Sequence, residues 1–334
     1  MTADAKLKDV ARLAGVSSGT VSNVLNRPEI VSPAVRETVQ AAIESLGYIR
    51  SDVARQLRAK DSRTIVFLSS QWDEPFVADM IRGAEKHAFQ KGMCLTLCPI
   101  GDVPEAELAH INHLTEQRVR GVIVARTANP RFTSVALRAR DIPTVFVAPE
   151  DPERGESLSI TFDYFAAGFL AATHLADENR RRITYVGTAE PDRFEEPFLL
   201  GCQQALSARE NHFEIFHLTA TTDEEVRGVA QAIASRRPIS RSDAIIVTSE
   251  LIGHQIRRTQ RGNALRVPED IAIIVCIANP LEQRCSTSFP MVIYPGTLFG
   301  QAAIDLLVNY TNFPAETPQR QVALAPQFST GGGC

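Results

Sequence analysis

Residues 8–27, KDVARLAGVSSGTVSNVLNR, decide the reading of this chain. Lys8–Ala14 places Val10, Leu13 and Ala14 at helical spacing, and Gly15 then supplies a residue able to turn sharply. Ser17 fits the cap of a second short helix, Thr20–Leu25, with Val21, Val24 and Leu25 turned inward. A third helix begins at Ser32-Pro33, a capping residue followed by proline at the first helical position. It sets Val35, Val39, Ile43 and Leu46 on one face and stops before Gly47. Two short helices joined by a tight turn and braced by a third make a helix-turn-helix, whose second helix suits a major groove. A three-helix bundle with no nucleic-acid partner satisfies the same spacing.

Charge agrees with a nucleic-acid partner at one end. Residues 1–60 hold nine Lys/Arg against six Asp/Glu, while the whole chain of 334 residues carries a net −4. At that length two or three compact units are expected. No apolar run is long enough to span a bilayer, and residues 1–25 lack the pattern of a secretory signal, so a cytoplasmic protein is expected. Cys94 and Cys98 lie on one predicted strand, about 13 Å apart at strand rise, too far for a shared disulfide or metal ion. Buried, reduced thiols are the expectation for the six cysteines.

The stretch DVARLAGVSSGTVSNVLNRP, followed by VSPAVRETVQAAIESLGYIRSDVARQLR, resembles the DNA-binding head of the lactose/galactose repressor (LacI/GalR) family. The resemblance implies a dimeric transcription regulator, a repressor, bound to a near-palindromic duplex operator. By position it assigns base reading to Ser18, Gly19 and Asn23, where the family often has a longer residue first and an arginine last. Asparagine pairs bidentately with adenine, whereas arginine prefers guanine. Ser17, Thr20, Ser22, Asn26 and Arg27 are the candidates for phosphate contact. Lys6 stands where the family usually caps the first helix with Ser or Thr, so a poorly capped end is expected. Residues 51–62 form a linker too short to be helical alone in water. In the family this segment becomes a minor-groove helix on the operator. Leu57 then matches its wedge and Ala54 the small residue beside it, with Arg55 and Arg58 near phosphates.

From Arg63 onward apolar strands alternate with amphipathic helices. The strands read 64–70, 94–99, 121–126, 143–148 and 158–163, then 183–187, 213–218, 243–248 and 271–276. Such alternation predicts parallel sheets covered on both faces, here two doubly wound lobes with ligands beyond the carboxyl ends of their strands. The expected class is therefore a small all-α helix-turn-helix head (1–50), a hinge (51–62) and a periplasmic-binding-protein-like α/β core (63–330). Lobe 1 is expected over about 63–161 and 291–318, lobe 2 over about 162–290 and 319–330, with crossings near Thr161, Pro290 and 318–321. Dimerisation is expected through the helix Phe76–Gln90 of lobe 1 and neighbouring strands.

The resemblance also locates an effector cleft, and there this chain departs from its pattern. The usual arginine three residues before Gly201 is Phe198, the polar position after strand 143–147 is Ala148, and an Asn-Asp pair becomes Ser249-Glu250. Further on, an Asp pair becomes Ile277-Ala278 and an aromatic becomes Gly296. A sugar taken from water needs its hydroxyls satisfied, so an ordinary monosaccharide is not expected. Candidates for the cleft are Gln71, Trp72, Phe76, Arg126, Asp163, Phe194, Phe198, Ser249 and Glu250. A less hydroxylated metabolite, a protein co-regulator, or no effector remain open. No nucleophile elbow, zinc-protease helix, phosphate loop or dinucleotide fingerprint occurs, and the seven histidines show no ligand spacing. No catalytic residue, metal or cofactor is therefore expected. A secreted solute-binding protein, which would share the two-lobed core, would have no use for the head.

Overall fold

Helix α1 (Leu7–Leu13) is entered through a backbone bond rather than a capping hydroxyl: the Lys6 N–H donates to Asp9 Oδ2 at 2.9 Å. The missing Ser/Thr cap is thus offset from inside the helix, by a carboxylate in the first turn. The inward face is Leu7, Val10, Ala11 and Ala14, while Leu13, expected inside, is 54% exposed. The inward set is i, i+3, i+4 and i+7 counted from Leu7, and Leu13 lies about a third of a turn from the middle of that stripe. Gly15 turns with φ +66°, and α2 (Ser18–Asn26) and α3 (Pro33–Leu46) follow, separated by one 3₁₀ turn at Pro28–Ile30. Val10, Ala11, Val21, Val39 and Ala42 form the buried centre of this unit.

The computed structural model describes residues 5–48, 62–101, 103–147, 157–187, 195–219, 222–237, 240–263, 265–277, 289–313 and 320–330. They fall into two compact units divided at Ser62–Arg63. The hinge candidates Ala54, Arg55, Leu57 and Arg58 lie outside the described residues, as do Ala148, Phe194 and Ala278.

The larger unit contains two six-stranded sheets. The first runs β1 (Thr64–Ser69), β2 (Cys94–Pro99), β3 (Gly121–Ala125), β4 (Thr144–Val147), β5 (Leu158–Phe162) and β11 (Gln321–Leu324), in the order β11-β5-β4-β3-β1-β2. The second holds β6 (Arg182–Gly187), β7 (His212–His217), β8 (Ala244–Val247), β9 (Ala272–Ile277), β10 (Met291–Ile293) and β12 (Gln327–Ser329), in the order β12-β10-β9-β8-β6-β7. Every pairing is parallel except β10 with β12. The order reverses between β1 and β3 and again between β6 and β8, the points where doubly wound sheets open a crevice.

Helices cover both sheets: α4 (Pro75–Gln90), α5 (Pro104–Glu116) and α6 (Pro130–Arg138) intervene in the first, α7 (Tyr164–Asp177), α8 (Glu195–Leu206), α9 (Asp223–Ala234) and α10 (Glu250–Gly262) in the second. A final helix, α11 (Gly296–Asn312), packs on α4 and the first sheet. The sequence reading delineated no helix there.

Two lobe boundaries differ from expectation. Met291–Ile293, expected in lobe 1, pair with β9 in the second sheet, so the chain crosses at Tyr294-Pro295. Gln321–Leu324, expected in lobe 2, pair with β5 in the first sheet, and the return falls at 325–326. Apolar patterning marks a strand but not the sheet whose edge hydrogen-bonds it. Aromatic rings fill the crossings. Phe162 contacts Tyr294 and Phe299 with ring centroids 4.6 Å apart in each case, and Phe76 lies 5.2 Å from Phe299. Burying each such ring stabilises by about 1.5–3 kcal/mol, so the crossing strands are held by a shared apolar block. Cys98, Cys202 and Cys276 are buried as expected, whereas Cys94 is exposed on the edge strand β2.

Candidate nucleic-acid interface and interlobe cleft

On α2, burial divides the residues by face. Val21 is fully buried and Val24 and Leu25 pack beside it, while Ser18, Gly19 and Asn23 are exposed. Residues 19 and 23 are one helical turn apart and share a face. The Ser17 hydroxyl accepts the Thr20 N–H at 3.0 Å and lies 2.9 Å from Thr20 Oγ1, which ties down the first turn. The Asn26 amide donates to the Ser22 carbonyl at 2.7 Å and lies 3.2 Å from Ser22 Oγ. Arg27 follows as an exposed cation at the helix end. The helix therefore offers a polar outer face with backbone N–H groups at its start, where the helix dipole favours anions.

Of the cleft candidates, some line the carboxyl ends of the strands and others are absorbed by the core. Gln71 is exposed just beyond β1. Trp72 stands edge-on to Phe67, centroids 6.2 Å apart, and its indole N–H is buried without a hydrogen-bond partner. Arg126, just beyond β3, is engaged by Glu74 through Nε and Nη2, both at 3.1 Å. This ion pair, with one hydrogen bond from Nη2 to Glu74 Oε1, holds the guanidinium against Glu74. Thr127 Oγ1 beside it is buried without a partner.

Asp163 accepts the Ala166 N–H at 2.8 Å as the cap of α7, and its carbonyl accepts from the Tyr294 hydroxyl at 2.8 Å. Burial raises the Tyr294 phenol, with Tyr164 and Asp163 adding to the effect. Ser249 precedes α10 without making a side-chain cap bond, and Glu250 opens that helix with His254 Nε2 at 3.6 Å from its Oε1.

Phe76 and Phe198 are 1% and 5% exposed, and both belong to the core rather than to a cleft wall. Phe198 packs on Tyr185, centroids 5.7 Å apart. The close crossing of α7 and α8 explains its burial. A Cβ on Gly168 would stand 1.9 Å from the Phe198 carbonyl oxygen, and one on Gly201 would stand 2.1 Å from that of Phe165. At so tight a crossing an apolar ring is stable where a buried guanidinium would need a partner.

Sequence reasoning missed a polar group at the ends of β6 and β7. Tyr185 donates to Glu195 Oε1 at 2.7 Å, and His217 Nε2 lies 3.0 Å from Glu195 Oε2. Glu195 is buried, and burial with the bond to Glu195 raises the Tyr185 phenol far above its ordinary range. The register of β6 on β7, which sets Gly187 opposite His217, and the placing of Glu195 at the start of α8 together bring the three into contact. Glu74 was missed for the same reason, since its partner Arg126 is 52 residues away.

An all-helical head with a polar outer face on its second helix, ahead of a two-lobed periplasmic-binding type of core, defines a DNA-binding transcription regulator. Residues 6–51 match the family of bacterial regulatory proteins of the lacI type, and residues 172–334 match the periplasmic binding protein-like domain. The transcriptional repressor PurR of Vibrio cholerae is 30% identical over 316 residues, covering 91% of each chain. The ribose operon repressor of Escherichia coli K12 is 29% identical over 321 residues, covering 95% of this chain and 96% of its own. The lac repressor dimer bound to operator and the anti-inducer ONPF shares the fold with a TM-score of 0.70, at 21% identity and 98% coverage of each chain. The chain belongs to the lacI family of bacterial regulatory proteins. Both of these relatives are named as repressors. Among the described residues no helix is long and apolar enough to cross a membrane.

Proposed function

We propose that the protein is a repressor that acts in the cytoplasm, binding a near-palindromic duplex operator as a homodimer. The carrying observation is the division of α2, with Val21 buried while Gly19 and Asn23 stand exposed on the opposite side and Ser18 is exposed in the first turn. In this reading those three meet base edges, and Ser17, Thr20, Ser22, Asn26 and Arg27 meet phosphates. Asn23 selects adenine where the arginine that the family often carries would select guanine. Leu57, with Ala54, Arg55 and Arg58, supplies the minor-groove contact, a role supported by family membership alone. Apolar surface on one side of lobe 1, with Phe89 on α4 76% exposed and Leu97 on β2 48% exposed, suits a partner copy.

The interlobe cleft takes a small molecule with fewer hydroxyls than a hexose. Arg126 is already committed to Glu74, and the position of the family's arginine is the buried Phe198. What remains near the cleft is a few isolated groups: the Trp72 indole N–H, Thr127 Oγ1, and Glu250, whose Oε1 is buried without a hydrogen-bond partner. Selection of bound sequences from random duplexes with the purified protein tests the main reading. It should return a two-fold-related site, and no preference over bulk competitor DNA at moderate salt would refute it. Calorimetry against plain hexoses should show no micromolar binding.

A further inference from the structure

Three side chains carry a buried polar atom without a hydrogen-bond partner to the places where the strand order reverses. In the first sheet the reversal lies between β1 and β3. Trp72, just beyond β1, holds its indole N–H there, and Thr127, just beyond β3, holds its hydroxyl. The Ser70 N–H donates to the Arg126 carbonyl at 2.9 Å, which ties the two segments together. In the second sheet the reversal lies between β6 and β8, and both strands lead to a carboxylate. Glu195 at the start of α8 and Glu250 at the start of α10 have side chains 8% and 10% exposed. Glu195 is engaged by Tyr185 and His217, whereas Glu250 Oε1 has no hydrogen-bond partner. His254 Nε2 stands 3.6 Å from that oxygen, beyond hydrogen-bond reach. Arg257 Nη2 lies 2.9 Å from His254 Nδ1. A guanidinium can only donate, so Nδ1 accepts, the ring proton sits on Nε2, and the imidazole brings no charge to Glu250.

The two lobes thus offer opposite chemistry to the space between them. Lobe 1 presents an N–H and an O–H, and its nearby cation, Arg126, is offset by Glu74. Lobe 2 presents a carboxylate. Polar atoms held from water without a partner cost stability, and strand-order reversals are where doubly wound sheets bind ligands, so a ligand that satisfies all three atoms recovers that cost. We propose that the interlobe cleft takes a small organic cation, with an ammonium or amidinium group on Glu250 and a carbonyl oxygen on Trp72 Nε1 and Thr127 Oγ1. This rests on the reading of the cleft as a small-molecule site and names the chemical class it takes. An ammonium brings both charge and donors to the carboxylate, where a sugar hydroxyl brings no charge.

Calorimetry on the full chain, without DNA, decides the matter with N-acetylethylenediamine, N-acetyl-1,3-diaminopropane and N-acetylputrescine, which hold an amide oxygen and an ammonium at increasing separation. Each is compared with the neutral amide in which a methyl replaces the ammonium: N-propyl-, N-butyl- and N-pentylacetamide. At least one amine should saturate one site per chain and bind about tenfold or more tightly than its neutral counterpart, the difference expected for a charge-assisted hydrogen bond. Glu250→Gln should erase that preference. Thr127→Val, which removes a hydroxyl unpartnered in the free protein, should leave the unfolding midpoint unchanged and weaken the amine severalfold. It decides where the ligand sits if Glu250→Gln lowers the midpoint. Binding of no amine at millimolar concentration, a preference retained in folded Glu250→Gln, or undiminished affinity in Thr127→Val where that variant decides would overturn the proposal. Equal binding of amines and neutral amides would overturn the cation and leave the cleft a small-molecule site, whereas micromolar binding of a plain hexose would remove the reading beneath it.

Discussion

The head and the core treat their polar side chains in opposite ways. On α2 the residues assigned to base reading are exposed on an outer face, with only the cap at Ser17 and the Asn26–Ser22 bond drawn into local structure. In the core the corresponding candidates are taken up by the fold. Arg126 is held by Glu74, Asp163 caps α7, and Phe76 and Phe198 are buried. A surface that reads a large, hydrated polyanion can leave its donors in water until contact. A cleft that encloses a small molecule cannot, because an unpaired polar group out of water costs about 1–3 kcal/mol. Candidate residues on the recognition face therefore stay accessible to a partner, while those around the cleft are redistributed by their neighbours.

The contrast can be broken most forcefully in the core. Gly201→Val drives a side chain into the Phe165 carbonyl at the α7–α8 crossing. It should cost about 3 kcal/mol or more, the upper range for overpacking, in denaturant unfolding of the core. Leu57→Ala tests the hinge assignment. Unstacking a base step costs a few kcal/mol, recovered only on bent DNA, so specific affinity should fall far more than non-specific affinity, and equal losses would remove the wedge role. Asn23→Arg should change the preferred base in each half-site by about 1–3 kcal/mol of discrimination, read by repeating the sequence selection. An unchanged site would end the adenine assignment. Ser17→Ala removes the α2 cap and should lower the stability of the head by about 1 kcal/mol, measured by its thermal unfolding, with operator affinity falling in parallel. The smallest effect belongs to the exposed pair at the end of lobe 2. Hydrogen bonds from the Arg266 side chain and backbone lower the Asp270 carboxyl to about 2 from its ordinary 3.8. A lowered folded-state value means the stabilisation is present above pH 3.8 and is lost as pH falls through about 2. The stability difference between the wild-type protein and Asp270→Asn should narrow over that window, and a difference independent of pH would contradict the assignment.

The helix-turn-helix and the strand-helix alternation were legible because local spacing carries them. Val21, Val24 and Leu25 recur at helical period, and TIVFLS and GVIVA are continuous apolar runs of strand length. Leu13 was misplaced because the reading on Lys8–Ala14 left out Leu7, which with Val10, Ala11 and Ala14 sets the inward stripe about a third of a turn away. The three short strands β10, β11 and β12 carry too few residues for a pattern, and their sheet membership rests on hydrogen bonds to β9, β5 and β10. The cleft was legible as a place but not as a set of contacts, since Glu74 with Arg126 and Glu195 with His217 meet across loops of different length.

The order of residues along the chain was sufficient for the kind of element at each position, and for the outward polar face of α2, because both follow from the period at which side chains repeat. The sheet that each late strand joins, the partner that neutralises Arg126 and the burial of Phe198 were settled only by the folded chain. Those outcomes depend on which distant backbones come within hydrogen-bonding or van der Waals reach, and no local spacing encodes that.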